Sequence, residues 1–266
     1  MMLRNMNLHS LLLIFIFSLC FNSFCHANDQ YRLFETATPP YLEICGNKIC
    51  RKIFLPETDT KDVYFDVPAF SLLDIDADGI PELIVTEVGL DGAVVNVRSL
   101  LFRINNKNVF EMVYSDSKEY DGIYLYNITF YNGKVVSSYR ERASWYDDIF
   151  VYLHGKLILE MRDINGFIRT VFDQNGMVID SYLINNEDKR WYERERQTAR
   201  ITSPKAVLYN SPNLHDISKM YLVKGDSVNL IYSSGEGIIF YLAEYTTEKN
   251  KKIRKWIKKD ALELVK

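Results

Sequence analysis

Glycine and proline are scarce in this 266-residue chain, at 12 and 7 residues, which excludes collagen-like and low-complexity architectures. An excess of one charge sign is also missing. Thirty-two basic residues face 35 acidic ones, and the net charge of −3 gives no footprint of a nucleic-acid partner. Histidine and cysteine number four each, tryptophan three, and no HExxH, GxSxG or phosphate-loop motif occurs. Long apolar runs are confined to one, residues 11–21 (LLLIFIFSLCF), shorter than the roughly 20 residues of a membrane-spanning helix. What the chain does have is 47% hydrophobic residues, with 18 Tyr and 15 Phe beside many Val and Ile. That composition predicts a folded, β-rich protein.

The apolar run sets the expected compartment. Residues 1–10 are short and polar with Arg4 as their only charge, and residues 22–27 (NSFCHA) end on a small residue. Together with the run these read as the three regions of a secretory signal peptide, cleaved after Ala27. An uncleaved anchor and a lipoprotein are the alternatives. Against the lipoprotein, neither Cys20 nor Cys25 has a small residue immediately before it. The expected product is an exported, periplasmic protein of about 239 residues with no transmembrane segment. Only Cys45 and Cys50 remain in it. They bracket Gly46-Asn47, a turn signal, and predict a hairpin tip closed by a disulfide in an oxidising compartment. A loop this small contributes about 2 kcal/mol.

Most of the stretch 31–183 reads as short strands and tight turns. Residues 63–67 alternate, and Leu83-Ile84-Val85 is a buried-strand run. Asn132-Gly133, His154-Gly155, Asn165-Gly166 and Asn175-Gly176 each separate two strand-like runs, the signature of an antiparallel meander. Residues 124–131 (YLYNITFY) read as a single strand. Residues 186–199 (NEDKRWYERERQTA) break the rhythm with dense mixed charge, predicting a short solvated helix or linker and a domain boundary near 198. The expected fold is therefore all-β, with a larger meander domain over 28–198 and a small unit over 199–266.

In that second unit, residues 206–212, the run Tyr221-Leu222-Val223-Lys224-Gly225-Asp226-Ser227-Val228 and Trp256-Ile257-Lys258 resemble the bacterial SH3-like family. The resemblance implies a small barrel. A tryptophan common before the family's fourth strand is replaced by Ile238-Ile239-Phe240-Tyr241, a departure at the position that bears on the family's peptide- or wall-binding groove. The basic run 249–259 (KNKKIRKWIKK) is expected as an exposed hairpin whose lysines protect edge strands, with Trp256-Ile257 in the core. A surface for anionic wall polymers or an acidic partner is the other reading of that run.

The sharpest motif is Asp74-Ile75-Asp76-Ala77-Asp78-Gly79-Ile80-Pro81-Glu82. Carboxylates stand at positions 1, 3, 5 and 9, with glycine at the sharp turn of position 6. Three aspartates within five residues repel unless a cation joins them, and Ca²⁺ takes 6–8 oxygen ligands. Asp74, Asp76, Asp78 and Glu82 are the candidate carboxylate ligands, with the Ile80 carbonyl between them. A solvated Asp-rich turn held by side-chain-to-backbone hydrogen bonds is the plainer alternative. An EF-hand is excluded, because its twelfth position requires Glu and Val85 stands there. The loop instead resembles the calcium loops of FG-GAP/VCBS-type repeats, which join two strands. With the hairpins that follow, residues 67–160 resemble an exported proteobacterial family similar to periplasmic lysozyme inhibitors and immunity proteins. That resemblance implies a structural Ca²⁺ and a protein partner, a peptidoglycan hydrolase.

No catalytic residue is assigned. His154 and His215 lie in turn or loop sequence without a nucleophile motif nearby. Asp147-Asp148 reads as a turn, and on a strand the two would point to opposite faces, a poor acid/base pair. The expected function is inhibition of a peptidoglycan-cleaving enzyme, as by an immunity protein. A scaffold that binds wall polymer such as peptidoglycan, with the SH3-like unit as its anchor, and an unrecognised periplasmic enzyme are the alternatives.

Overall fold

The computed structural model describes residues 30–46, 49–57, 68–87, 96–115, 124–153, 155–185, 189–235 and 240–265. The leader at 1–27, the strand expected at 63–67, His154, Ile238-Ile239 and the Asn47 half of the Gly-Asn turn lie outside the described residues. Within them the protein is all-β, with antiparallel ladders throughout, and no helix is long and apolar enough to cross a membrane.

Four sheets follow one another along the chain. β1 (Gln30–Phe34), β2 (Tyr41–Gly46) and β3 (Ile49–Phe54) form the first. The second joins β4 (Pro68–Leu73), β5 (Glu82–Glu87), β6 (Arg98–Ile104) and β7 (Phe110–Met112) in that order, and β8 (Leu125–Tyr126) pairs with β6. The third is a meander of β9 (Thr129–Tyr131), β10 (Lys134–Glu141), β11 (Ser144–Leu153), β12 (Lys156–Ile164), β13 (Ile168–Phe172), β14 (Val178–Asn185) and β15 (Glu195–Arg196). The fourth contains β16 (Thr198–Ile201), β17 (Lys205–Tyr209), β18 (Ile217–Val223), β19 (Ser227–Ser233), β20 (Phe240–Thr246), β21 (Lys252–Lys258) and β22 (Leu262–Leu264). Its spatial order is β18-β17-β21-β20-β19-β16-β22.

The first three sheets stack as layers. Leu83, Val85, Leu100 and Phe102 point from the second sheet towards Leu42, Ile44 and Ile53 of the first. Their sequence neighbours Ile84 and Leu101 point the other way, into a core shared with Val135, Phe150, Leu157 and Leu159 of the third. β5 therefore buries four consecutive residues, Glu82 to Val85, where a strand with one wet face would alternate. Each fully buried aliphatic side chain stabilises the fold by roughly 1.5–3 kcal/mol. The fourth sheet closes on a separate core that includes Ala199, Leu208, Leu230 and Ile257, and Leu183 of β14 packs against it. Gln197 joins the two regions: its N–H donates to Leu183 and its carbonyl accepts from Leu230.

The Asn-Gly turns form for a local reason. Asn132 and Gly133 have φ of +49° and +71°, and Asn165 and Gly166 of +51° and +64°. Asn and Gly tolerate this left-handed region, and its twist matches the flanking strands. At Gly155 (φ +77°) the same backbone conformation recurs, and a Cβ there would displace the flexible Arg103 side chain.

Five expectations are corrected, the last in part. Residues 124–131 are not one strand: Asn127 (φ +43°) breaks them, its carboxamide accepting from Val97 N–H and donating to the Ser138 carbonyl. β8 thus joins the second sheet and β9 the third. Asp147 and Asp148 lie inside β11 rather than in a turn. The basic run is no edge: β21 lies between β17 and β20, and Lys252 and Arg254 pair with the buried Glu244. Within that strand Ile257 enters the core, whereas Trp256 points away from it against Tyr232. The charged stretch does hold a short helix, Trp191–Glu193, with none of its residues buried, but it is tied by ion pairs to the third sheet instead of standing free, as described below.

Leu83→Ala and Ile84→Ala should each cost about 2–4 kcal/mol in urea unfolding, because adjacent residues enter different cores. Ile179→Ala, at a position 63% exposed, should change stability by no more than about 0.5 kcal/mol. A silent Leu83 or Ile84 variant would mean that one face of the second sheet is uncovered.

Candidate functional site

The acidic loop connects β4 to β5, whose first register pair is Leu73 with Glu82. Two left-handed residues, Ala77 (φ +59°) and Gly79 (φ +88°), turn the chain back on itself. The turn is stabilised by Asp74, whose two carboxylate oxygens accept from the N–H groups of Asp78 (3.1 Å) and Gly79 (3.0 Å). Asp78 accepts from Ile80 N–H at 2.7 Å. These are the side-chain-to-backbone bonds of an Asp-rich turn. They also bring one carboxylate oxygen each of Asp74, Asp76 and Asp78 within 4.8 Å of one another, on the exposed side of the loop. An all-carboxylate donor set gathered on that scale is chemically suited to a hard cation such as Ca²⁺. The Asp76 carboxyl is pushed above its ordinary range, by burial first and then by the charges of Asp78 and Asp74.

Glu82 is placed differently. It is buried, and it stands outside the aspartate cluster. One of its oxygens accepts from Ile75 N–H at 2.9 Å, and the other accepts from the Tyr152 hydroxyl at 3.0 Å. Ile75 is itself buried in the core between the second and third sheets. Glu82 therefore closes the loop from inside and joins it to β11 across the layer boundary. Burial drives its pKa from about 4.5 up to about 7, with the two donated hydrogen bonds opposing the shift. The same burial, with the Glu82 carboxylate beside it, raises the Tyr152 phenol.

Cys45 and Cys50 are a register pair on β2 and β3 and form the disulfide, with S–S 2.05 Å. His215 lies exposed in a turn, its N–H donating to Asn213.

A second constellation carried no sequence signal. On the outer face of the third sheet, Arg169 grips Asp163 through two hydrogen bonds of 2.7 Å and donates to the carbonyls of Trp191 and Arg194. Arg194 reaches back to Asp147 at 2.7 Å and Asp163 at 2.9 Å. On the opposite face Arg162 holds Asp148 through bonds of 2.6 and 2.9 Å, with the Tyr139 hydroxyl also donating to it. Burial raises the Asp148 pKa, and Arg162 opposes that. The adjacent aspartates thus serve separate ion pairs on separate faces. Their partners stand tens of residues away or on neighbouring strands, which is why spacing within the sequence could not reveal them.

No protein-family model matches the chain, and neither does any curated protein or solved structure.

Glu82 binds its proton more tightly in the folded than in the unfolded chain. Its contribution is therefore full below about pH 4.5 and lost as pH rises through about 7. In calcium-free buffer, thermal melts should show this decline across that window. Glu82→Gln should flatten it, because the amide can accept from Ile75 and donate to the Tyr152 oxygen. Parallel pH profiles for the two proteins would show that Glu82 does not titrate there.

Proposed function

We propose that the chain is an exported, periplasmic binding protein that inhibits a peptidoglycan-cleaving enzyme, as an immunity protein does. The observation that carries docking is the outer face of the first sheet. The register aligns Phe34, Tyr41 and Phe54 in one row across three strands, and Arg32, Glu43 and Lys52 in the next. Phe34 and Phe54 are exposed, Phe34 stacks on Tyr41 at 4.7 Å, and Lys52 lies 4.0 Å over the Tyr41 ring. Exposed aromatics beside arginine are the composition of energetic centres in protein interfaces. A face lying on the outermost layer can meet a partner without disturbing a core. The disulfide ties β2 to β3 at one end of this face. The class of partner rests on the resemblance of residues 67–160 to inhibitor-like proteins, and the export on the leader anatomy of residues 1–27.

Calcium enters this reading as a structural ion. Asp74, Asp76 and Asp78 would supply carboxylate oxygens and Ile80 its carbonyl. Glu82, buried behind the aspartates, would reach the ion directly or through a water. The ion would neutralise the aspartates and stiffen the connection between β4 and β5. The SH3-like unit at 199–266 is read as a companion barrel.

Two experiments test these points. The mature chain should inhibit one hydrolase stoichiometrically in a labelled-peptidoglycan assay, and Tyr41→Ala or Phe54→Ala should weaken that at least tenfold, about 1.4 kcal/mol. Sedimentation with sacculi without inhibition of any hydrolase in a broad panel would replace the reading with that of a wall-binding scaffold. For the ion, free Ca²⁺ at about 100 times Kd should stabilise by about 2.7 kcal/mol, raising Tm by roughly 5–10 °C. Asp76→Ala should abolish that rise. An identical melting curve with and without chelator would remove calcium from the account.

A further inference from the structure

The outer face of the third sheet has a cleft of about 260 Å³, separate from the acidic loop and from the first sheet. Its walls are aromatic. Tyr131 of β9 and Tyr192 stack face to face with centroids 3.9 Å apart. Trp191 stands at right angles to both, at 6.2 Å and 5.4 Å. Met161 adds an apolar surface, while Asn132 and Lys134 bring polar groups.

Trp191 and Tyr192 belong to a single 3-10 turn, Trp191–Glu193, that buries none of its own residues. So short a turn does not hold its shape by local propensity. The ion-pair network fixes it: Arg169 holds the Trp191 carbonyl, and Arg194 ties the next residues to Asp147 and Asp163. Arg190 N–H donates to the Glu193 carboxylate, and the Arg190 guanidinium donates to the Tyr192 hydroxyl at 2.8 Å. Burying Asp163 and Arg169 carries a desolvation cost that a packed apolar cluster would avoid, so such a network is weak as a device for stability. Its consequence is to hold two aromatic rings fixed against a third at the surface, and rigid aromatic groups bind with little further loss of entropy.

The charges at the cleft narrow the occupant. Arg169 is neutralised by Asp163, and Lys134 is paired with Glu160. The lining side chains therefore carry balanced charge, and the exposed Arg190 guanidinium on the Tyr192 hydroxyl stands at the rim as a further hydrogen-bond donor. The cleft offers apolar ring surfaces beside hydroxyl, amide and ammonium groups. A pyranose ring has the matching surface, with C–H groups on one face and hydroxyl or acetamido groups around the edge. The volume is just below the roughly 300 Å³ at which small-molecule sites begin, room for one ring.

We infer that this cleft binds one sugar ring of a glycan, packed into the corner of Trp191, Tyr131 and Tyr192. The inference does not rest on the inhibitor reading, since the chain would hold the sugar itself. The test titrates the whole mature protein with the tetramer of N-acetylglucosamine, with maltotetraose and with adenosine, following the tryptophan indole resonances by NMR. Saturable displacement of the Trp191 indole signal by either sugar is expected. Measured by calorimetric titration, which needs no indole signal, Tyr131→Ala and Trp191→Ala should each lower the affinity at least tenfold. Trp145→Ala, on the β11 strand away from the cleft, should leave it unchanged. Tyr131→Ala removes a ring from a different element than the 3-10 turn, so loss of binding with an unchanged melting curve separates recognition from folding. Failure of both sugars to move the Trp191 signal, binding indifferent to Tyr131 and Trp191, or a response to adenosine alone would overturn the inference.

Discussion

Burial of the second sheet on both faces is the constraint on which the rest of the structure depends. Because Leu83 and Val85 face one layer while Ile84 faces another, β5 cannot shift by one residue without exchanging the contents of two cores. The first sheet then has one covered and one open face, and the outer face of the third is covered in part by the segment around Trp191. The row of Phe34, Tyr41 and Phe54 lies on the open face of the first sheet and the aromatic cleft at Trp191 on the outer face of the third. The acidic loop leaves the middle layer at the end of β4 and re-enters it at Glu82, so its position follows from the same register.

Polar groups inside this framework act as connectors between elements. Glu82 links the loop backbone to a tyrosine of the third sheet. Asp163 links β12 to β13 through Arg169 and to the chain beyond β14 through Arg194. Glu244 links β20 to β21 through Arg254 and Lys252; burial acts to raise its pKa, and the hydrogen bonds from those two cations outweigh it and lower the value. A buried charge removed from its partner is costly, whereas the intact pair contributes little net stability. Such groups consequently specify where segments sit more than how strongly the protein folds. That division explains why a 3-10 turn with no buried side chain of its own has a fixed geometry.

Much of the local structure was legible in the residues. Asn-Gly pairs at 132–133, 165–166 and 175–176 announced hairpins because few other residues accept a positive φ. The DxDxDG spacing announced a loop that gathers carboxylates, and the gathering of Asp74, Asp76 and Asp78 is what the fold contains. The inward placement of Glu82 was not legible, since it depends on Tyr152, 70 residues away. The stretch around Trp191 read as solvated because its charges are dense. Density says nothing about partners, and the partners are Asp147, Asp163 and Arg169 on three strands. The basic run near the C-terminus likewise read as an edge, although strand order places β21 inside its sheet.

The sequence by itself determined the all-β class, the turns and the acidic loop, because backbone preference and side-chain alternation are properties of neighbouring residues. Only the tertiary structure decided which charges are buried, which aromatic rings face solvent and which strand pairs with which. Those outcomes depend on contacts between residues far apart in the chain, and desolvation acts on a charge according to what covers it, not according to what precedes it.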